Sequence, residues 1–275
     1  MGKIIQGEDL DINTGDRTIV HCEGNNNNSI DIAFYSILLG NLSSKIDLKT
    51  KGSCNLLLEL ATHIFNNDLK EFCLLDRDYR NEEEIFKKQS NNQAIKFLSF
   101  HEVENCLFYP QYLLQLDYIK PKLDENKIEE IIQNIILDKK IHFLADFLQF
   151  RINEHLDRFP RINQLKVTEL PDNDKELLEI LKNKLQINYD EVKKRIIEIE
   201  NEKYITWLQE FENIFNNKSI NKNLLCGKII FDELCKFKRI FIKPPSKEDI
   251  AIDIAKKMHT NNFYPANLKE VFSIE

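Results

Sequence analysis

The chain is predicted to be an α/β protein, with a parallel sheet flanked by helices in residues 1–110 and a mostly α-helical region in residues 111–275. Three observations predict this. Short β-rich runs alternate with segments of helical period through residue 100, and the connections are long enough for crossovers. One run, Phe72 to Leu75, is continuously apolar, as a strand buried on both faces must be. Glycine and proline number only 7 each, too few for a turn-rich sandwich or barrel.

The elements follow in order. "TIVHCE", residues 18 to 23, is the first strand. After the polar stretch "GNNNNS", the segment from Ile30 places Ile30, Phe34, Ile37 and Leu38 at helical spacing and stops near Gly40. Ile46 and Leu48 alternate with polar residues in a second strand. "SCNLLLELATHIFNN" is a second helix, capped by Ser53 and apolar at Leu56, Leu57, Leu60 and Ile64. "LKEFCLLDRDY" contains the third strand, which ends abruptly in acid, and "AIKFLSF" is the fourth, reached through the charged segment "RNEEEIFKKQSNN". Beyond residue 104 the periodicity is helical. One long or two consecutive helices carry Ile128 to Leu148, another runs from Val192 to Phe215, and a further one from Leu224 to Phe237.

Composition narrows the functional classes. The 275 residues are 42% hydrophobic and 30% charged, with 38 Lys plus Arg against 45 Asp plus Glu, a net charge of −7. No global positive field draws this chain to nucleic acid, so a polyanion partner must be met locally. No apolar run is long enough to cross a membrane and no signal sequence opens the chain, so a cytoplasmic location is expected. The six cysteines (Cys22, Cys54, Cys73, Cys106, Cys226, Cys235) form no CxxC or Cys/His spacing and read as small core residues.

In an open parallel sheet, functional groups gather at the carboxyl ends of the strands. Three of these ends are acidic: Glu23-Gly24 after the first strand, Asp76-Arg77-Asp78 after the third, and "FHEVEN", with Glu102 and Glu104, after the fourth. Carboxylates projecting to one edge repel one another in a partly dehydrated cleft, and a divalent cation resolves that conflict. Oxygen-only ligands favour Mg²⁺ or Mn²⁺. The bland alternative is a set of helix caps and solvated loop charges. His101 precedes the acidic pair and is a candidate phosphate contact or proton carrier, whereas His21, His63 and His142 lie in apolar runs and read as core or boundary residues.

The ordered set "IVHCEG…SIDIAFY", "FCLLDRDY" and "FLSFHEVENCLF" resembles the topoisomerase-primase (TOPRIM) domain, in the branch that includes the OLD-like nucleases and the toxin subunit of PARIS anti-phage systems. The matching elements cover residues 18 to about 110, and the "GK" at Gly227-Lys228 is also similar to that branch. The resemblance implies a TOPRIM-like fold in which Glu23, Asp76 and Asp78 are metal or acid/base residues, Glu102 or Glu104 serves a second metal, and Lys228 acts in catalysis. Relatives often carry an acid four residues after the first glutamate. Here that place is Asn27, and Asp31 is the candidate counterpart, with a dipole-favoured acid in the first helical turn as its structural alternative.

What the resemblance implies is a Mg²⁺-dependent nuclease, with RNA (tRNA among its forms) favoured over DNA. It would act as the toxin effector of an anti-phage defence system, held inactive by an ABC-type or other ATPase partner and forming a homo-oligomer when active. The chain has no GxxxxGKS or GxxxxGKT phosphate loop of its own. A DNA-nicking OLD-like endonuclease, a non-catalytic metal-stabilised interaction module and an aspartyl-phosphate enzyme using Asp76 are the alternatives. Basic residues that could touch phosphates are Lys228, Lys236, Lys238, Arg239, Lys243 and Lys247, and a second group of Arg151, His155, Arg158 and Arg161.

Overall fold

The computed structural model describes residues 17–24, 30–156, 174–215, 220–236, 239–243, 245–265 and 267–274. The chain forms two compact units, one of Met1–Gln133 with Cys226–Glu275 and one of Asn134–Leu225. The sequence reading divided the chain once, between residues 110 and 111. The compact units are instead drawn by a C-terminal segment that returns to the sheet.

In the first unit, β1 (Thr18–Cys22), α1 (Ile30–Leu39), β2 (Ile46–Thr50), α2 (Cys54–Asn66), β3 (Glu71–Leu75), α3 (Glu82–Asn91) and β4 (Ile95–Phe97) alternate, as expected. All pairings are parallel and the order is β2-β1-β3-β4. The order reverses at β1, which lies between its sequence successor β2 and the later β3. Helical crossovers therefore diverge on either side of the β1–β3 pair and leave a crevice at its carboxyl end. His21, buried on β1, hydrogen-bonds Glu71 at the start of β3 through Nε2 at 2.6 Å.

Two local differences from the sequence reading have clear causes. The charged segment after Arg80 is the helix α3: Asn81 accepts a hydrogen bond from the Glu84 amide at 2.9 Å and the Glu84 carboxylate accepts one from the Asn81 amide at 2.8 Å. β4 is only three residues long because the chain leaves the ladder at Ser99, whose amide donates to Asn267 Oδ1 at 3.0 Å. The Asn267 amide group donates in turn to the Phe97 carbonyl at 2.9 Å. A side chain from the C-terminus thus takes the place of a fourth ladder neighbour.

After a 3₁₀ turn at Val103–Phe108 come α4 (Pro110–Leu113), α5 (Glu125–Asp138) and α6 (Lys140–Leu156), so the Ile128–Leu148 pattern is two helices. The helix expected over 192–215 begins earlier, as α7 (Asp174–Glu198), and passes through a π-helical turn at Ile199–Lys203 into α8 (Tyr204–Ile214). In this second unit Phe147 of α6 packs on Phe211 of α8 at 5.7 Å between ring centroids, and Phe211 stacks on Phe215 at 5.5 Å.

The first unit is completed by α9 (Gly227–Cys235), α10 (Lys247–Thr260) and the short α11 (Leu268–Val271). The sequence reading did not single out α10, yet it buries Ile250, Ala251, Ile254, Ala255 and Met258 and packs along α1. Ser246 caps it by accepting from the Asp249 amide at 3.0 Å. Its His259 ring lies against Gly40, which adopts φ 51°, and hydrogen-bonds the Leu38 carbonyl at 3.1 Å. A Cβ at Gly40 would collide with that ring in a backbone conformation that already disfavours side chains. We expect Gly40→Ala to destabilise the first unit by about 1–3 kcal/mol, read as a lower denaturant midpoint at unchanged m-value.

Candidate functional site

The site forms at the carboxyl end of the β1–β3 pair. β1 delivers Glu23 directly, and the amide of Asp76, the first residue after β3, donates to Glu23 Oε1 at 3.3 Å. Parallel pairing of Cys22 with Leu74 makes this adjacency unavoidable. Asp31 sits in the first turn of α1, favoured there by the helix dipole, and its charge reaches both Asp76 and Glu23.

Asp78 adopts φ 49°, a left-handed conformation that asparagine and aspartate tolerate better than other side chains. It is held there from two sides. Its amide donates to the His101 carbonyl at 3.1 Å, and its carboxylate accepts from Arg80 Nη1 at 2.6 Å. Arg80 is buried. The same guanidinium nitrogen reaches the carbonyls of Arg77 at 3.3 Å and Asp76 at 3.5 Å, while Nη2 donates to Cys54 Sγ at 3.5 Å. Arg77 is buried too and points away from the cluster, donating to the Arg80 and Ser99 carbonyls and to Glu82.

On the other side stands Glu102, buried at 5% exposure with both oxygens engaged. Oε1 accepts from the Lys228 amide at 2.6 Å and from Cys226 Sγ at 3.1 Å, and Oε2 pairs with Lys228 Nζ at 2.9 Å. Gly227, between them, permits this approach: a Cβ there would stand 2.6 Å from the Asn105 amide nitrogen. Asn105 itself accepts from the Glu102 amide at 3.0 Å. Glu104, in the first turn of the 3₁₀ segment, is also buried and feels the charges of Glu102, Lys228 and Asp31.

Pairwise electrostatic interactions therefore link all seven residues predicted from the sequence (Glu23, Asp31, Asp76, Asp78, Glu102, Glu104 and Lys228) into one cluster. They do not act alike. Burial, with Asp78 adding to it, raises the Glu23 carboxyl to about 7. Burial raises Asp31 to about 6, and burial together with Glu102 raises Glu104 to about 8. Asp76 is pushed well up by burial and by the charges of Asp31, Glu23, Glu102 and Asp78. Burial also acts upward on Glu102, but His101 and Lys228 outweigh it and hold the carboxyl below its usual range. Burial works against the Lys228 ammonium, which Glu102 and Glu104 nevertheless stabilise, so its pKa rises.

Carboxylates that hold their protons for want of a nearby positive charge fit a hard divalent cation, which would take the place of those protons. Among the described residues no three of these carboxylates bring oxygens within 4.8 Å of one another. The residues that do reach that spacing are His101, Glu102 and Cys226, all buried.

Sequence reasoning missed Arg80, Cys226 and the Gly227–Asn105 contact. Only the position of Cys226 immediately before "GK" could have flagged one of them. Tyr79 is buried edge-on against the His101 ring at 4.5 Å and serves packing.

The expected basic surface is largely committed to ion pairs. Lys236 pairs with Glu233 at 3.1 Å and Lys247 with Asp232. Arg151 is buried and paired with Glu210 at 3.0 Å, and His155 lies 3.6 Å from Glu198. These last two are interior groups of the second unit, not a phosphate-facing surface. Asn27, Lys238, Arg158 and Arg161 lie outside the described residues.

No protein-family model matches the chain, and neither a curated protein nor a solved structure matches it. Fold and site together define a parallel α/β protein with a buried acidic cluster at its topological switch point. No helix among the described residues is long and apolar enough to cross a membrane.

The raised carboxyls fix a pH dependence. Between the ordinary carboxylate range and about 8 the folded chain holds protons on Asp31, Glu23 and Glu104 that the unfolded chain has released. Their contribution is complete below the unfolded values and is lost as pH rises through about 6, 7 and 8. Glu102, being depressed, acts only at lower pH. In EDTA the melting temperature is expected to fall by several degrees from about pH 5 to about pH 8. Glu104→Gln should flatten the upper part of that fall in the same thermal scans.

Proposed function

We propose that the chain is a Mg²⁺- or Mn²⁺-dependent nuclease that cleaves phosphodiester bonds, with RNA favoured over DNA. One observation carries the reading: carboxylates from the ends of β1, β3 and β4 and the start of α1 gather with Lys228 at the crevice where the strand order reverses. The ordered motifs that resemble the TOPRIM domain, "IVHCEG", "FCLLDRDY" and "FLSFHEVENCLF", supply those same carboxylates and support it further.

Glu23, Asp31, Asp76 and Asp78 would hold the ion through carboxylate oxygens, with Glu104 beside them. The ion would supply charge neutralisation and a lowered water pKa at the scissile phosphate. The chain's own residues do the rest. Glu23, which accepts a hydrogen bond from the Asp76 amide, would be the group that takes or returns a proton. Lys228, whose side chain is more than half exposed, offers a positive charge to a substrate phosphate while its backbone stays anchored on Glu102. Arg80 holds the Asp76–Asp78 loop through the carbonyls of Asp76 and Arg77 and the Asp78 carboxylate. By the same resemblance the setting is anti-phage defence, with the nuclease as a toxin restrained by an ATPase partner.

The test is a mixed RNA and DNA pool incubated with the purified chain in Mg²⁺, Mn²⁺ or EDTA, with fragment ends sequenced in parallel from expressing cells. New RNA ends that require the cation and fall by at least about 100-fold in Glu23→Ala and Asp76→Ala are expected. Cleavage unchanged in either variant would falsify the assignment. New ends confined to DNA would give the DNA-nicking reading. Cation-dependent thermal stabilisation with no new ends in either assay would give the non-catalytic module.

A further inference from the structure

We infer that His101, Glu102 and Cys226 form a separate site for a borderline-soft transition-metal ion, Zn²⁺ in chemical class, beside the hard-cation cluster. This goes beyond the nuclease reading and does not depend on it. The imidazole, carboxylate and thiol ligand atoms lie within 4.8 Å of one another, and all three residues are nine-tenths or more buried. Cys226 Sγ is 3.1 Å from Glu102 Oε1 and His101 Nδ1 is 3.9 Å from Glu102 Oε2. Ligand atoms around a tetrahedral zinc stand about 3–4 Å apart, given metal–ligand bonds of roughly 2.0–2.3 Å, so small side-chain adjustments close the set.

Three features make the site selective. Thiolate and imidazole favour Zn²⁺ or Co²⁺ and disfavour Mg²⁺, which demands oxygen. The three ligands come from rigid supports. His101 packs against Tyr79, Glu102 is tied to Asn105, and Cys226 precedes α9, whose first residue, Gly227, is wedged on Asn105. The surroundings are net acidic, with Asp31, Asp76 and Glu104 all interacting with Glu102 or Lys228, so a dication is electrostatically welcome.

The resident competitor is Lys228, whose ammonium holds Glu102 Oε2 at 2.9 Å. Its side chain is 59% exposed and can turn to solvent when the ion takes that oxygen. Binding releases the Cys226 proton to solvent, forms the metal–sulfur, metal–nitrogen and metal–oxygen bonds, and breaks the Lys228–Glu102 ion pair. Three protein ligands leave a fourth position for water. A transition metal here would thus free the Lys228 ammonium from Glu102 Oε2 while the oxygen cluster stays available to Mg²⁺.

Co²⁺ titration of the full chain under reducing conditions tests this. A near-ultraviolet thiolate-to-cobalt absorption is expected to saturate at equimolar metal, to disappear on adding Zn²⁺ and to survive excess Mg²⁺. Cys226→Ser keeps a donor to Glu102 and should fold, which a thermal melt checks, but should lose the band. Cys54→Ser and Cys235→Ser should keep it. Lys228→Met should tighten Co²⁺ by about tenfold as the competing ammonium goes. No band in the parent chain, a band that persists in Cys226→Ser, or an affinity unchanged by Lys228→Met overturns the inference. The readout is spectroscopic, so these outcomes are independent of whether the Mg²⁺-dependent cleavage assay succeeds.

Discussion

The mutual repulsion of carboxylates gathered at the carboxyl end of the β1–β3 pair is the constraint around which the first unit is organised. Two unit charges about 4 Å apart near a protein surface interact by roughly 4 kcal/mol, so several such acids in one half-buried crevice cannot all stay ionised without relief. The chain relieves part of the stress itself. Arg80 neutralises Asp78, Lys228 neutralises Glu102, and Asp76, Glu23, Asp31 and Glu104 respond by holding their protons to higher pH. What remains is a concentrated acidic demand for a cation.

That arrangement depends on a long-range closure. Cys226–Glu275 belongs to the same compact unit as the sheet, although more than ninety residues of the second unit intervene. Gly227 brings the start of α9 onto Asn105, α10 lies along α1, and Asn267 closes the ladder end of β4. A buried charge such as Glu102 is tolerable only because these contacts deliver its amide, thiol and ammonium donors together. The sheet therefore positions the acids, and the returning segment makes them compatible with folding.

The charge balance takes on a different meaning in this light. A net charge of −7 spread over a surface would repel a polyanion, but part of the excess is buried at one edge and would be offset by bound cations. Several of the lysines and arginines that looked available in the sequence are consumed internally, Arg151 with Glu210 and Lys236 with Glu233 among them. Lys228 differs because its backbone amide is also fixed, on the buried Glu102 carboxylate.

The sequence by itself determined the alternation of strands and helices, an interior third strand that buries Cys73, Leu74 and Leu75 with Phe72 half-buried, and the acids that follow β1, β3 and β4. Each of these is written in residues within a few positions of one another, through period, propensity and capping. Local patterns also hid two elements: α3 looked like a charged linker until Asn81 and Glu84 capped it, and α10 was hard to see because small Ala251 and Ala255 make up part of its buried face. Only the tertiary structure decided the strand order, the union of Cys226–Glu275 with the sheet, the pairing of Arg80 with Asp78 in its left-handed conformation, and the meeting of His101, Glu102 and Cys226. The Glu102 contacts join residues 124 and 126 positions apart. Such partners leave no periodic trace, because what selects them is the need to satisfy a buried charge, and that need arises only once the chain has closed around it.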